Sequence, residues 1–327
     1  MKYVNLGKNG PSVSTISFGA WGISGRDWGD TDDDESRKAI HTALDNGVTL
    51  IDTADVYGFG HSEKLIAQVL KARGEKEKII IATKAGNNFY PFKNEKHNTT
   101  PVNHDFSKKY LIFAAEQSLI RLNRDYLDIL QLHSPSTDLL VREEPWEALM
   151  KLKEQGKILH AGLSVQSFKE TEQAFLLDEH NDILDIIQVR YNLLEREAEK
   201  ELFPKALKYG IGIIVRIPIL FGLLAGKFDR NSTFADNDHR RANLSAEKLN
   251  RYFEQLDGLA PFFTKHKRQT MAQLSLRFCI SHPACHTAIP GGRTAAQVIE
   301  NVKASELDFI THDEFPELKE TKSSNRL

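Results

Sequence analysis

Four side chains able to give, take or steer a proton stand at or just beyond the ends of short apolar runs. Asp52 closes Leu50-Ile51, and Tyr57 follows five residues later on a loop punctuated by Gly58 and Gly60. Lys84 ends Ile79-Ile80-Ile81-Ala82-Thr83, and His133 ends the run that starts at Leu127. Read singly, Asp52 is as much a turn residue as a functional one. Lys84 reads as a snorkelling strand-edge lysine and His133 as a histidine before a turn. Read as a set, they suggest proton transfer. A free tyrosine has a pKa of about 10, a poor donor or acceptor near neutrality, and an adjacent ammonium lowers that value. Asp52 is suited to hold Lys84 charged and in place. A neutral His133 is suited to hydrogen-bond the oxygen that receives the tyrosine proton. Such a group protonates a carbonyl oxygen while its carbon takes a hydride, and a hydride requires a cofactor.

The elements that must bring these residues together follow from the apolar pattern. After a hairpin, Tyr3-Val4-Asn5-Leu6 turned by Gly7-Lys8-Asn9-Gly10, a first strand is predicted over Val13 to Phe18. Short apolar run, polar loop and amphipathic helix then alternate. Strands are predicted at Thr49 to Asp52, Lys78 to Lys84, Leu127 to His133, His160 to Ser164, Ile186 to Val189, Ile213 to Ile217 and His286 to Pro290. Helices are predicted from the acidic run Asp32 to Glu35 up to Asn46-Gly47, then at Ser62 to Lys71, Ser107 to Leu122, Glu144 to Gln155 and Glu197 to Tyr209. Ser167-Phe168-Lys169-Glu170 and Thr294-Ala295-Ala296-Gln297 carry capping-box patterns. Eight strand–helix alternations favour a closed (β/α)8 TIM barrel with an N-terminal β-hairpin, a single domain over residues 1–327. An open doubly wound sheet usually carries Gly-x-Gly-x-x-Gly after its first strand, and Gly58-Phe59-Gly60 lacks the third glycine. Two segments exceed ordinary loop lengths, Ala85 to Asp105 and Phe221 to about Gln269, and such loops are usually functional. His97 and His104 in the first of them read as surface residues.

Composition narrows the function classes. The 327 residues are 40% hydrophobic and 27% charged, with a formal net charge of −2. This offers no long-range attraction to nucleic acid or an anionic membrane. The first residues lack the apolar core of a signal peptide, and Ile211 to Ala225 is interrupted by Arg216 and Pro218. Cys279 and Cys285 supply neither a metal framework nor a disulfide scaffold and are expected to be structural thiols, so a cytoplasmic location is expected.

A barrel gathers its strand C-termini on one face. Those ends are Trp21, Asp52, Lys84, His133, Ser164, Gln188, Arg216 and Gly291-Gly292-Arg293. Asp52-Thr53-Ala54-Asp55-Val56-Tyr57-Gly58, Ala82-Thr83-Lys84 and Leu132-His133-Ser134-Pro135 together resemble the signature motifs of the aldo-keto reductases, and the resemblance runs over essentially the whole chain. It implies an NADPH-dependent carbonyl reductase acting on a small-molecule carbonyl or alcohol. Tyr57 would be the general acid, Lys84 and Asp52 would tune it, and His133 would orient the substrate carbonyl. Trp21, Ser164, Gln188 and Arg216 would lie about the nicotinamide. Leu220, Gly222 and Lys227 would cover the pyrophosphate, and Gly291, Gly292, Arg293, Gln297, Glu300 and Asn301 would hold the adenosine phosphate. A Gly-rich helix start and an arginine suit phosphate on physical grounds too.

The chain departs from many relatives at several of these places. Val165 stands where they have Asn, Arg216 where an aromatic stacks on the nicotinamide, Gly291 where several have Lys, and Gln297 where they have Arg. Preference for NADPH over NADH, with NADH also admissible, then rests on Arg293 and Lys227. Trp21, Trp28, Phe89, Tyr90 and Phe92 are expected to wall the substrate pocket. The alternative within the same fold is an NADPH-sensing regulatory subunit, as in potassium-channel β-subunits. Those resemble this chain in the Asp-Tyr-Lys set but carry Asn in place of His133.

Overall fold

The computed structural model describes residues 1–29, 31–93, 100–311 and 314–315, so His97 lies outside the described residues. The apolar runs become eight parallel strands: β1 Phe18–Gly19, β2 Leu50–Asp52, β3 Ile80–Ala85, β4 Leu127–His133, β5 Ile158–Ser164, β6 Ile186–Arg190, β7 Gly212–Arg216 and β8 Thr287–Ala288. They neighbour one another in chain order. Backbone bonds across the seam close the sheet: Ser17 N–H donates to Ala288 O (2.8 Å), Ala288 N–H to Thr15 O (3.0 Å) and Gly19 N–H to Pro290 O (3.1 Å). The barrel is therefore the one the alternation predicts.

Pleating decides what fills it. Leu50, Ala82, Ile129, Ile186, Ile214 and Ile289 form an inner apolar layer, sealed by Leu6 and Val13 of the N-terminal hairpin. Two residues further along the strands the same inward position becomes polar: Asp52, Lys84, Gln131, Gln188 and Arg216. Register sets Lys84 opposite Gln131, Gln131 opposite Gly162 and Ser164 opposite Gln188. Outward positions such as Ile51, Ile81, Leu130, Leu163 and Val215 join the larger core beneath the helices.

Among the helices are α1 Asp33–Asp45, α2 His61–Arg73, α3 Lys108–Leu122, α4 Glu144–Glu154, α5 Leu176–Glu179, α6 Leu202–Tyr209, α7 Ala246–Gly258, α8 Met271–Ser281 and α9 Ala295–Lys303. Asp32 caps α1, accepting from Asp34 and Glu35 N–H, and Ser107 caps α3. Asn46 and the left-handed Gly74 and Asn123 stop α1, α2 and α3.

Four readings need correction. The segment predicted as one strand from Val13 to Phe18 splits. Ser12–Ser14 pairs antiparallel with Tyr3–Asn5, and only Phe18–Gly19 joins the barrel, because Thr15 N–H turns back to Lys2 O. Ser167 to Glu170 forms no capping box: Phe168 is left-handed (φ 64°), and the helical turn starts only at Glu172. At Thr294 half the box forms, since its hydroxyl accepts from Gln297 N–H while the Gln297 carbonyl takes Arg293 N–H instead. The predicted helix from Glu197 shortens to a 3-10 turn, Glu197–Glu199, followed by α6. Helix α8 is not among the predicted helices, although the complete capping box of Thr270 and Gln273 announces it.

Candidate active site

Asp52, Lys84 and Tyr57 converge at the polar layer. The Lys84 ammonium is 1% exposed and donates to three oxygens: Asp52 Oδ1 at 2.6 Å, Thr53 O at 2.7 Å and Tyr57 OH at 3.4 Å. Its three protons are thereby committed. Burial works against this charge, but Asp52 and Tyr57 outweigh it and hold the Lys84 pKa above the ordinary lysine value.

The loop carrying Tyr57 is pinned locally. Tyr57 N–H donates to Ala54 O, and Gly58 is left-handed (φ 60°) with its Cα pressed against the neighbouring loop. A Cβ on Gly58 would lie 2.0 Å from Ser24 O, so only glycine fits there. Trp21 stacks on the Tyr57 ring at 5.9 Å, and His133 meets that ring edge-on at the same separation.

The sequence reading expects Lys84 to lower the Tyr57 pKa. The net direction is upward: burial of the phenol dominates, and Lys84 only opposes it. Tyr57 therefore keeps its proton at neutral pH. Burial, reinforced by Lys84 and Arg216, pushes His133 well below the ordinary imidazole value, so its ring is neutral.

One cavity of about 520 Å3 opens above this group. Of the residues expected at the site, Trp21, Asp52, Tyr57, His133, Ser164, Gln188, Arg216, Gly222, Lys227, Gly291, Gly292, Arg293, Gln297, Glu300 and Asn301 line it. Lys84 sits behind Asp52 and Tyr57, and the Leu220 side chain is buried in the main core. Arg216 is tied to Val165 O (2.8 Å) and Ser167 Oγ (3.0 Å), and burial lowers its pKa to about 10, which leaves it charged.

Gly291–Arg293, also on the cavity lining, lead into the N-terminus of α9. Asn301 Nδ2 donates to Gly291 O (3.2 Å), and the Arg293 guanidinium to Trp28 O (3.0 Å). A Cβ on Gly291 would meet nothing closer than Gly19 O at 4.0 Å, so the backbone there has open space beside it. Cations and a helix N-terminus on this lining, together with the amide of Gln188 and the hydroxyl of Ser164, match a ligand with anionic phosphates and a polar heteroaromatic ring.

The expected substrate wall is only partly right. Trp21 and Trp28 line the cavity. Phe89, Tyr90 and Phe92 instead form a satellite cluster with Phe59; Phe89 stacks on Phe59 at 5.1 Å, and Arg121 Nη1 donates to Tyr90 OH. His104 is exposed. Sequence reasoning missed Arg190, Phe228, Arg240 and Asn243, which also line the cavity. Arg190 is held by both Glu195 oxygens at 2.5 Å. Arg240 and Asn243 come from the second long loop, whose basic run His239-Arg240-Arg241 was the available signal.

That loop is tied across the barrel mouth. The Asp27 carboxylate accepts from Thr100 N–H and Oγ1, the Asp27 carbonyl accepts from His239 N–H, and Trp28 bridges to Asp238. His239 stacks on Trp21 and meets Trp28 edge-on, each at 4.3 Å. Burial drops its pKa to about 4 from 6.5. Between those values the unfolded chain binds a proton that the folded site refuses. Stability is therefore full above pH 6.5 and declines as pH falls towards 4, by at most about 3 kcal/mol from this group. His239→Phe is expected to flatten the dependence of Tm on pH across that window, with His133 leaving a residual slope. An unchanged slope would reject the assignment.

A family model described as Aldo/keto reductase family matches residues 15–322. The chain is 31% identical to aldo-keto reductase YhdN of Bacillus subtilis, covering 91% of this chain and 87% of that one. It is also 31% identical to a probable voltage-gated potassium channel subunit beta of Arabidopsis thaliana, covering 93% and 91%. Among solved structures it is similar to an aldo-keto reductase of Bacillus halodurans in its holo form, with TM-score 0.76, 28% identity and coverage of 96% and 94%. A glycerol dehydrogenase of Gluconobacter oxydans matches with TM-score 0.81, 29% identity and coverage of 97% and 93%.

Proposed function

The chain belongs to the aldo/keto reductase family, and from that premise we propose that it catalyses the reversible NADPH-dependent reduction of an aldehyde or ketone to an alcohol. The observation that carries this reading is the chain of contacts from Asp52 through Lys84 to Tyr57, opening into a cavity that Gly291–Arg293 also line.

The cofactor, when bound, supplies a hydride to the carbonyl carbon. Tyr57 gives its proton to the carbonyl oxygen, and Lys84 stabilises the phenolate left behind, with Asp52 balancing the ammonium. Neutral His133 holds the same carbonyl oxygen by a hydrogen bond. Ser164 and Gln188 would hold the carboxamide, Arg216 would lie against the ring, Lys227 and Gly222 would cover the pyrophosphate, and Arg293 with α9 would take the adenosine phosphate. The Leu220 backbone belongs to the same covering segment. Trp21 and Trp28 offer an apolar wall for the substrate.

The test is NADPH and NADH oxidation across a panel of aldehydes and ketones; steady consumption of NADPH is expected. Binding without consumption across the panel would favour the second reading, a cofactor-sensing subunit, which the likeness to the Arabidopsis β-subunit supports. Among the described residues no helix is long and apolar enough to cross a membrane. Arg293→Met should weaken NADPH binding by about 10- to 100-fold, the loss of one charge-assisted phosphate contact, and leave NADH nearly unchanged. Equal loss of both cofactors in titration would place Arg293 away from the 2′-phosphate.

A further inference from the structure

Gln131 is the polar residue of the inner layer that the proposed mechanism leaves without a task. It lies two residues before His133 on β4, is fully buried, and does not reach the cavity. An amide sealed inside a barrel is costly unless its groups are paired. Its pairing is specific. Gln188 Nε2 donates to Asp52 Oδ2 at 2.6 Å and to Gln131 Oε1 at 3.2 Å, while Gln131 Nε2 faces the same Asp52 oxygen at 3.5 Å.

The orientation of both amides follows from chemistry. Asp52, as the partner of Lys84, is a carboxylate and only accepts, so the atom 2.6 Å from it must be the Gln188 NH2 group. The second proton of that NH2 then goes to an acceptor, which fixes Gln131 with its oxygen towards Gln188. Both donors of Gln188 are thus committed below, and its own carbonyl oxygen is the group left for the cavity that Gln188 lines.

The fold makes room for this circuit. Gln131 is in register with Gly162 on β5, and a Cβ on Gly162 would come within 2.8 Å of Gln131 Cγ. Any larger residue at that position would displace the Gln131 side chain.

We infer that Gln131 is a positioning residue that locks Gln188 with its carbonyl oxygen towards the cofactor's carboxamide and links that contact to Asp52. The inference rests on the proposed cofactor reading. Gln131 touches neither cofactor nor substrate; it acts through Gln188 and Asp52. Ligand binding at the Gln188 end is thereby joined through one carboxylate to the ammonium beside Tyr57.

The experiment compares binding of NADPH with binding of 2′-phospho-ADP-ribose, which has the phosphates and adenosine but no nicotinamide. Gln131→Met keeps the side chain's length and removes both polar atoms. It is expected to weaken NADPH by about 10-fold and leave 2′-phospho-ADP-ribose at its wild-type affinity. Gln131→Glu is isosteric with glutamine when protonated. Its NADPH affinity should approach wild type on the acid side and fall as the new carboxyl ionises against Asp52. Wild-type NADPH affinity in Gln131→Met, or equal loss of both ligands, overturns the inference. Should Gln131→Met fail to fold, a Gln131→Glu affinity that does not change with pH relative to wild type overturns it as well. Wild-type protein that binds neither NADPH nor NADH would instead bring down the cofactor reading itself.

Discussion

Tyr57→Phe is expected to lower kcat for carbonyl reduction by about 100- to 10,000-fold while the Kd for NADPH stays essentially unchanged. The phenol oxygen is the only atom removed. The ring remains stacked on Trp21 and edge-on to His133, so the cavity keeps its shape. What is lost is a proton held at a buried site, where burial raises the Tyr57 pKa and Lys84 opposes the rise. The sign of that balance makes a second measurable statement. Reduction, which uses the protonated phenol, should be level through neutral pH and fall only on the alkaline side. Alcohol oxidation, which needs the phenolate, should climb with pH. Rate profiles in both directions check this, and substantial turnover by the Phe variant would remove Tyr57 from the role of acid.

Lys84→Met is expected to destabilise the protein by about 3–5 kcal/mol as well as to slow turnover. Lys84 and Asp52 are 1% and 3% exposed and 2.6 Å apart. Removing the ammonium strands a carboxylate inside the barrel, where among the described residues the Gln188 and Gln131 amides remain as its side-chain donors. Adding Asp52→Asn to Lys84→Met should therefore recover much of the lost stability, because a neutral amide in that place no longer carries an uncompensated charge. Activity should not return with it, since the ammonium that donates to the Tyr57 oxygen is then missing. Urea titrations of the two single variants and the double variant separate the effects. Additive destabilisation in the double variant would show that the pair is not coupled.

The core of the candidate site was legible because each of its parts has a local signature. Asp52, Lys84 and His133 each end an apolar run, and parallel strands in a closed barrel place such ends on one rim. Tyr57 was legible through Gly58, whose φ of 60° and contact with Ser24 O admit no side chain. The Gly291-Gly292-Arg293 turn and Thr294 were likewise readable as a helix start. The misreadings share a different origin. Phe89, Tyr90 and Phe92 have the composition of a pocket wall, yet Phe59 from the preceding loop offered them a packing surface of their own. Ser167 to Glu170 has the letters of a capping box, but the loop is held by Arg216 on Ser167 and by a left-handed Phe168.

By itself, then, the amino-acid sequence determined the barrel and the polar residues at the ends of its strands. These depend on periods of two and 3.6 residues, and such periods are written in neighbouring positions. Only the tertiary structure decided which way the Tyr57 pKa moves, because burial sums contributions from every surrounding element and here outweighs the opposing charges of Lys84 and Arg216. It alone decided that Gln131 closes a circuit with Gln188 and Asp52 in the space left by Gly162, since those residues lie on four different strands. It also decided that Asp27, Thr100 and His239 tie three loops across the barrel mouth. Contacts between residues so distant in the chain have no local pattern to announce them. Closure of the barrel brings them within hydrogen-bonding distance.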